Sequence, residues 1–142
     1  MCRTIVTTVK QSTKLKNMGI NGVMTADMMW IYCNTKHPYL TDLSKNLKER
    51  IIDITRRFDA LPAWSEGSLM DILPVSINNS SLTVSPMIMN GRKVWSVSYN
   101  LFHTEVADDL FDAVIAMIKV CIKHNKIESK YLSNVKEKNK EQ

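Results

Sequence analysis

A cysteine and a histidine lie four positions apart in the first third of the chain. They are Cys33 and His37, and a neighbouring imidazole can activate a thiol as a nucleophile. The pair falls at a predicted strand end and in a loop before Pro38, where no third group is placed to orient the imidazole. We therefore interpret these residues as a strand-end cysteine and a surface histidine, and the sequence predicts no catalytic residue.

Metal and acid–base sites also lack the necessary spacing. A structural zinc needs clustered ligands, whereas the three histidines are scattered along the chain. A group of carboxylates could serve a divalent cation or proton transfer, and it comprises Glu105, Asp108, Asp109 and Asp112. These residues lie at the start of a predicted helix, where negative charge caps the helix and suits its dipole. The sequence predicts neither a metal nor a cofactor.

A basic cluster is the feature with the clearest functional implication. It comprises Lys10, Lys14, Lys16, Lys45, Lys48, Arg50, Arg56 and Arg57. Arg50 and Arg57 share one side of a predicted helix at two-turn spacing, so their guanidinium groups could contact successive phosphates. Nearby acidic residues make a solvated helix face the simpler interpretation. The candidate contacts for nucleic acid or a protein partner are Lys48, Arg50, Arg56 and Arg57.

Size and composition describe an ordinary globular protein. The chain has 142 residues, of which 44% are hydrophobic and 23% charged, so we expect one domain over residues 1–127. The formal charge of +5 lies mostly in the first sixty residues and in residues 128–142, which we expect to form a charged, flexible tail. The sequence shows no membrane span, no secretory signal and no disulfide framework. These features predict a cytoplasmic location.

Two helices are predicted in the first half of the chain. Residues 8–18 precede Gly19, which suits the left-handed conformation that ends many helices. Residues 42–58 carry apolar side chains at steps of three and four, and Thr41 or Asp42 can serve as the cap. Both segments therefore present one apolar side to a core.

Two further helices are predicted after residue 60. Ser65 is a good cap for a short helix over residues 66–73, which Pro74 ends. Residues 108–124 are predicted to form a longer helix with a broad apolar stripe, and Asn125 is the expected stop. The long helix is expected to cover one face of a sheet.

Asn90-Gly91 predicts the turn of a β-hairpin. Asn-Gly is preferred in two-residue type I′ turns because both positions need positive φ. The turn aligns apolar residues across the two strands, in the pairs Leu82–Tyr99, Val84–Val97 and Pro86–Trp95. Proline has no N–H and is tolerated only at a sheet edge, so strand 81–89 is predicted to be an edge. Segment 28–33 is predicted as a third strand beside 94–101.

Several short motifs resemble a family of small phage and prophage proteins. The motifs are Lys14-Leu-Lys-Asn-Met-Gly19, Pro62-Ala-Trp-Ser65, Leu69-Met-Asp-Ile-Leu-Pro74, the Trp95-x-Val-x-Tyr99 strand and the helix from Ala107 to Ile118. Over residues 8–127 the chain is similar to uncharacterised proteins of mobile elements in gut bacteria, described as the phage "ABA sandwich" type. The resemblance implies a small α+β fold and a phage or prophage origin. The family has no known activity, so it implies no functional residues.

These predictions combine into one fold and two functional hypotheses. We expect an α+β domain in which a small antiparallel sheet, built on the Asn-Gly hairpin, packs with three or four helices. The leading hypothesis is a non-enzymatic phage or prophage accessory protein that binds another macromolecule, with a protein as the expected partner. The alternative is a weak nucleic-acid-binding protein that uses the basic face of helix 42–58. An enzyme ranks third, and self-association through an open strand edge is left open.

Overall fold

The computed structural model describes residues 6–32, 39–42 and 59–133. The chain divides into two compact units, one of Met1–Leu69 with Ser129–Gln142 and one of Met70–Glu128. Each unit contains an antiparallel sheet and helices. The α+β class is therefore as predicted, although two sheets are present where one was expected. The division does not decide whether residues 1–127 act as one domain, and that statement stays a prediction.

The first unit is built on a three-stranded sheet. Its elements are helix α1 (Val9–Asn17), helix α2 (Gly22–Thr25), strand β1 (Met28–Tyr32), strand β2 (Tyr39–Asp42), strand β3 (Asp59–Ala63) and helix α3 (Glu66–Met70), whose last residue falls across the division. Strand β1 lies in the middle and is antiparallel to both neighbours. Trp30, for example, is opposite Leu40 in β2 and Leu61 in β3.

The place of β1 corrects the predicted sheet. Segment 28–33 is predicted to lie beside strand 94–101, but β1 pairs with β2 and β3 instead. A short apolar strand indicates that it belongs to a sheet without indicating which strand it joins, because pairing depends on residues distant in sequence. Strand β3 also contains Pro62, which is compatible with a strand only because β3 is an edge of its sheet.

Helix α1 begins and ends at residues with clear capping signals. Thr8 Oγ1 accepts the Gln11 N–H at 3.1 Å and Gln11 Oε1 accepts the Thr8 N–H at 2.9 Å, which forms a capping box. At the other end Gly19 has φ +93°, and its N–H donates to the Lys16 carbonyl at 3.0 Å. The predicted stop at Gly19 is confirmed, and the helix covers Val9–Asn17.

Trp64 is a buried centre of hydrogen bonding in the first unit. Its side chain is fully buried, and its indole Nε1 donates to Thr25 Oγ1 at 2.8 Å. The Thr7 N–H donates to the Trp64 carbonyl at 2.8 Å, and the Trp64 N–H donates to Thr7 Oγ1 at 3.0 Å. Thr7 Oγ1 also lies 2.7 Å from Ser12 Oγ. These bonds fasten the segment before α1 to the end of β3.

Ser65 caps α3 as predicted, and Asp27 supports the cap. The Ser68 N–H donates to Ser65 Oγ at 3.3 Å. The Asp27 carboxylate accepts the Ser65 N–H at 2.8 Å and the Ser68 hydroxyl at 2.9 Å. The helix ends at Met70 rather than at residue 73, because the chain continues in a turn in which the Leu73 N–H donates to the Met70 carbonyl.

Substitution of two glycines in the first unit by alanine is expected to have opposite effects on stability. A Cβ at Gly22 would lie 2.4 Å from Pro62 Cγ, whereas a Cβ at Gly67 would meet nothing within 4 Å. We expect Gly22→Ala to lower the free energy of unfolding by about 1–3 kcal/mol, because the proline ring must move. We expect Gly67→Ala to raise it by about 0.5–1 kcal/mol, because alanine favours the helix and restricts the unfolded chain. Denaturant titration of both variants measures the difference, and changes of the same sign would contradict the close packing at Gly22.

The second unit is built on a four-stranded antiparallel sheet and one long helix. Its elements are strand β4 (Ser76–Ile77), strand β5 (Ser80–Met89), strand β6 (Arg92–Tyr99), strand β7 (His103–Ala107) and helix α4 (Leu110–Lys123). The strands lie in the order β4-β5-β6-β7. Each strand therefore pairs with the next one along the chain, as in a meander.

The β5–β6 hairpin has the predicted turn and register. Asn90 has φ +55° and Gly91 has φ +75°, the signs that a type I′ turn requires. The observed cross-strand pairs are those predicted, Leu82–Tyr99, Val84–Val97 and Pro86–Trp95. A second turn of positive φ, at Asn78 and Asn79, joins β4 to β5. Asparagine tolerates this conformation better than most residues, so Asn-Asn was a usable turn signal.

Strand β7 occupies the place predicted for segment 28–33. It pairs with β6, with Thr104 opposite Ser98 and Glu105 opposite Val97. Its five residues alternate between half-buried and exposed positions and include none that is fully buried. A strand without an apolar face gives little signal in the sequence, which explains why β7 was not predicted.

Helix α4 covers the sheet face that carries Val97 and Tyr99. It contacts β6 and β7, and both of these side chains are fully buried. Its own buried residues are Leu110, Phe111, Ala113, Val114, Ile115, Met117, Ile118 and Cys121. The predicted apolar stripe is thus confirmed. The helix begins at Leu110 rather than at residue 108, because Asp109 has the extended backbone of an N-cap.

Asn125 stops α4 by adopting a left-handed conformation. Its φ is +58°, and its N–H donates to the Ile122 carbonyl at 3.1 Å. The Lys126 N–H donates to the Cys121 carbonyl at 2.8 Å. These two bonds form a Schellman motif, so the predicted role of Asn125 is confirmed.

The beginning of the predicted tail, 128–142, packs against the first unit. Ser129–Tyr131 form a single 3-10 turn, and Leu132 is buried in an isolated β-bridge with Ile20. The Ser133 N–H donates to the Gly19 carbonyl at 2.7 Å. The chain is therefore packed as far as Ser133, beyond the predicted boundary. The rest of the predicted tail lies outside the described residues.

Candidate binding surface

The predicted contact residues cannot be placed, because they fall outside the described part of the chain. They are Lys48, Arg50, Arg56 and Arg57. The same is true of Cys33, of His37 and of helix 42–58, apart from Asp42, which ends β2. Of the wider basic cluster the structure describes the three lysines of α1, all of them exposed. Nucleic-acid binding therefore stays a prediction.

The carboxylates near α4 occupy separate positions and do not form one group. Glu105 Oε2 pairs with His103 Nε2 on β7. Asp108 pairs with Arg92 Nε at 3.1 Å on the exposed surface. The other two carboxylates lie at the start of α4, where the helix dipole favours negative charge. Among the residues the structure describes, no three His, Cys, Asp or Glu side chains are grouped so as to hold a metal ion.

Cys121 is a packing residue in the core of the second unit. Its side chain is fully buried, and burial raises the pKa of the thiol to about 11, while Lys126 has a smaller opposite effect. The thiolate is the nucleophilic form of cysteine, so this group is unreactive near neutral pH. Burial also raises the pKa of Tyr99, and the neighbouring Cys121 adds to the rise.

The buried thiol predicts a loss of stability at alkaline pH. The pKa of Cys121 is about 11 in the folded protein against an ordinary value of 9.0, so the unfolded chain releases the proton first. Its contribution is complete below the lower pKa and is lost as the pH rises to the higher one, a change on the order of 2 kcal/mol. Urea unfolding at pH values near 9 and near 11 measures the loss. The free energy of unfolding should decrease less between these two pH values for Cys121→Ala than for the wild type. Equal decreases would contradict desolvation of the thiol.

The outer edge of β5 is open along most of its length. One side of β5 is paired with β6 from Leu82 to Met89. On the other side β4 reaches only Ser80 and Ser81, after which the Val75 carbonyl accepts the Leu82 N–H at 2.9 Å. Beyond Leu82, no strand within the described ranges pairs with this outer side. The predicted edge is therefore found around Pro86, whereas the start of the strand is covered by β4 and is not an edge.

The open edge presents backbone groups at alternate residues. The Leu82 N–H points away from β6, and in an antiparallel pair every second residue does the same. The outward residues of the open edge are therefore Val84, Pro86 and Ile88. Because Pro86 has no N–H, the edge offers donors only at Val84 and Ile88, whereas all three residues offer a carbonyl.

The side chains at the end of β5 are apolar and exposed. Met87, Ile88 and Met89 have exposed fractions of 40%, 70% and 41%. Strand β5 carries no charged residue. Two cations, Arg92 and Lys93, lie at the start of β6, and Lys93 Nζ lies 5.1 Å from the centre of the Trp95 ring. The outward backbone of Val84–Ile88 and the three exposed side chains together form what we call the β5 edge site.

Comparison with known proteins identifies no relative of this chain. No family model, curated protein or solved structure matches it. The resemblance to phage proteins therefore stays a prediction. Within the described ranges, no helix is both long enough and apolar enough to cross a membrane.

The sequence indicates the edge position of β5 but not the exposure of its last residues, Met87–Met89, which we call the tip. Pro86 indicates that strand 81–89 lies at an edge, whereas the sequence does not distinguish a buried methionine from an exposed one. Met29 is in fact fully buried, and Met87 and Met89 are exposed. The signal that distinguishes the tip is the absence of charge over the whole of Ser80–Met89, which is unusual for an open edge.

Proposed function

We propose that this protein binds another protein through the β5 edge site, by pairing β5 with an extended segment of the partner. The observation that supports this proposal is the open, uncharged edge that ends in three exposed apolar side chains. Sheets normally protect open edges with charges, prolines or bulges. Among the described residues of the open edge, Pro86 is the only such protection, and the backbone on both sides of it, at Val84 and at Ile88, can still pair with a partner strand.

The edge supplies both main-chain and side-chain contacts. The Val84 and Ile88 N–H groups would donate to carbonyls of the added segment, and the outward carbonyls of β5 would accept its N–H groups. Main-chain bonds give affinity with little dependence on sequence, so the side chains must provide selectivity. Met87 and Met89 suit this role because a flexible thioether side chain adapts to different apolar surfaces.

Two further features of the proposed function rest on the sequence. The protein acts as a non-enzymatic accessory protein of a phage or prophage, and its place of action is the cytoplasm. Nucleic-acid binding by helix 42–58 remains the alternative, and the exposed lysines of α1 are compatible with it.

A capture experiment with two matched variants tests the proposal. The tagged full chain is used to recover partners from host-cell lysate with and without nuclease, and light scattering reports the mass of the purified protein. Ile88→Lys places a charge in the β5 edge site, and Leu101→Lys places the same charge on a side chain that is also 70% exposed but lies outside that site. We expect Ile88→Lys to reduce nuclease-resistant capture of a protein by about tenfold or more, and Leu101→Lys to leave it unchanged.

Two results would overturn the proposal. Equal loss of capture in both variants would show that the added charge acts without regard to the β5 edge site. Recovery of nucleic acid alone, lost at high salt, would favour the basic helix instead, because phosphate contacts weaken as salt rises.

A further inference from the structure

A polar depression lies on the other face of the second sheet, at the opposite end from the Asn90-Gly91 turn. It has a volume of about 590 Å³, which is within the range of small-molecule sites, about 300–1,000 Å³. The lining residues that bear on its chemistry are Asn79, Ser81, Thr83, Ser98, Asn100 and Leu101. Ser98 alternates with Val97 and Tyr99 along β6, so the depression opens on the face of the sheet away from α4.

The walls of the depression are held in place by internal hydrogen bonds. Ser80 Oγ donates to the Ile77 carbonyl at 2.6 Å and accepts the Leu101 N–H at 3.2 Å, which links the turn before β5 to the loop after β6. Ser98 Oγ lies 2.8 Å from Thr104 Oγ1 on the neighbouring strand. The pairing of β5 with β6 begins at Leu82 and Tyr99 and continues with Thr83 opposite Ser98, so the floor of the depression lies where the paired part of the two strands begins.

The groups that point into this space are neutral donors and acceptors. None of the lining residues is charged. The side chains of Asn79, Ser81, Thr83 and Asn100 form no hydrogen bond with any other residue the structure describes. Each hydroxyl can donate one bond and accept others, and each amide can do both at once. Leu101 adds an apolar surface at the rim, with an exposed fraction of 70%.

This combination selects against charged ligands. A phosphate or carboxylate would lose part of its hydration without meeting an opposite charge. A ligand with several neutral hydroxyl groups can exchange its water contacts for hydroxyl and amide contacts of similar strength. The C–H face of a sugar ring would match the apolar rim.

We propose that the depression is a binding site for a neutral oligosaccharide. The asparagine amides and the hydroxyls of Ser81 and Thr83 hold adjacent sugar hydroxyls, and Leu101 packs against a ring face. This inference is independent of the β5 edge site, because none of the side chains that define that site lines the depression.

The test is a ¹H–¹⁵N NMR titration of the full chain with three neutral probes, maltotriose, cellotriose and triacetylchitotriose. We expect saturable shifts at the amides of residues 79–83 and 98–101 with at least one probe, and a Kd on the order of 1 mM. Glucose 6-phosphate serves as the charged comparison and should bind at least tenfold more weakly than that probe.

Two variants with the same substitution distinguish the site from nonspecific contact. Ser81→Ala removes a hydroxyl that lines the depression, and Ser85→Ala removes one from the same face of the same strand outside it. We expect about three- to tenfold weaker binding for Ser81→Ala and no change for Ser85→Ala. Absence of saturable shifts with all three probes, equal losses in the two variants, or tighter binding of the phosphate would each overturn the proposal.

Discussion

Ile88→Pro is expected to abolish partner binding at the β5 edge site while the β5–β6 hairpin stays folded. Ile88 is opposite Lys93, and its N–H points outward, so a proline there removes no bond between β5 and β6. It does remove one of the two outward donors and places a ring where the partner backbone must approach. We expect partner capture to fall by about thirtyfold or more, since a lost bond and a steric clash act together.

Ile88→Thr is the control for this variant. Threonine keeps the N–H and favours a strand, but it removes part of the apolar side chain. We expect capture by Ile88→Thr to stay within about threefold of the wild type. Amide spectra of both variants should retain the cross-strand pattern of the hairpin. Capture by Ile88→Pro at wild-type levels would contradict strand pairing as the mode of binding.

Trp64→Ala is expected to have the largest effect on stability in the first unit. The Trp64 side chain is fully buried, and its indole donates to Thr25 Oγ1 at 2.8 Å. Truncation removes a large apolar group and leaves a cavity, so we expect the free energy of unfolding to fall by about 3–5 kcal/mol. Denaturant titration followed by circular dichroism measures this change.

Two tryptophan-to-phenylalanine variants distinguish the effect of losing a buried, hydrogen-bonded indole from the effect of losing any indole. Trp64→Phe removes the bond to Thr25 at a fully buried position, and we expect it to lower the free energy of unfolding by about 1–3 kcal/mol. Trp95 is only half-buried beside Lys93, so Trp95→Phe should change stability by less than about 1 kcal/mol. Similar changes in the two variants would contradict the central place of Trp64.

The parts of the fold that were predicted correctly depend on local sequence signals. The type I′ turn at Asn90-Gly91 determines which residues of β5 and β6 are opposite each other. Gly19 and Asn125 end their helices through a single backbone conformation. The apolar stripe of α4 repeats over a whole helix and therefore stands out from the background.

The errors concern contacts between residues far apart in sequence. Nothing in segment 28–33 indicates that its partners are β2 and β3 rather than β6. Strand β7 has no apolar alternation, so it left no pattern to recognise. Leu132 is buried in a bridge with Ile20, a contact that one apolar side chain in a charged segment signals only weakly.

The candidate sites were predictable only in part. Pro86 indicated an edge because a proline inside a paired strand would remove a ladder bond. Exposure of Met87–Met89 depends on how far β4 extends along β5, and that length is not encoded locally. The polar depression likewise requires the turn before β5 and the loop after β6 to meet at one end of the sheet. The alternate Ser and Thr residues along β5 and β6 indicate only which face of the sheet is polar.

The proline in the open edge also affects whether the chain can pair with itself. In a two-fold dimer of antiparallel strands every contact occurs twice. The outward residues available for pairing are Val84, Pro86 and Ile88. Any two-fold register that pairs at least two of them in each copy places the Pro86 ring of one copy against an outward carbonyl of the other, and this contact occurs twice. A different protein would meet this ring only once and could place a bend or a small residue there. We therefore expect the edge to disfavour identical partners by symmetry, which would keep it open to other proteins at concentrations where a regular strand assembles with its own copies.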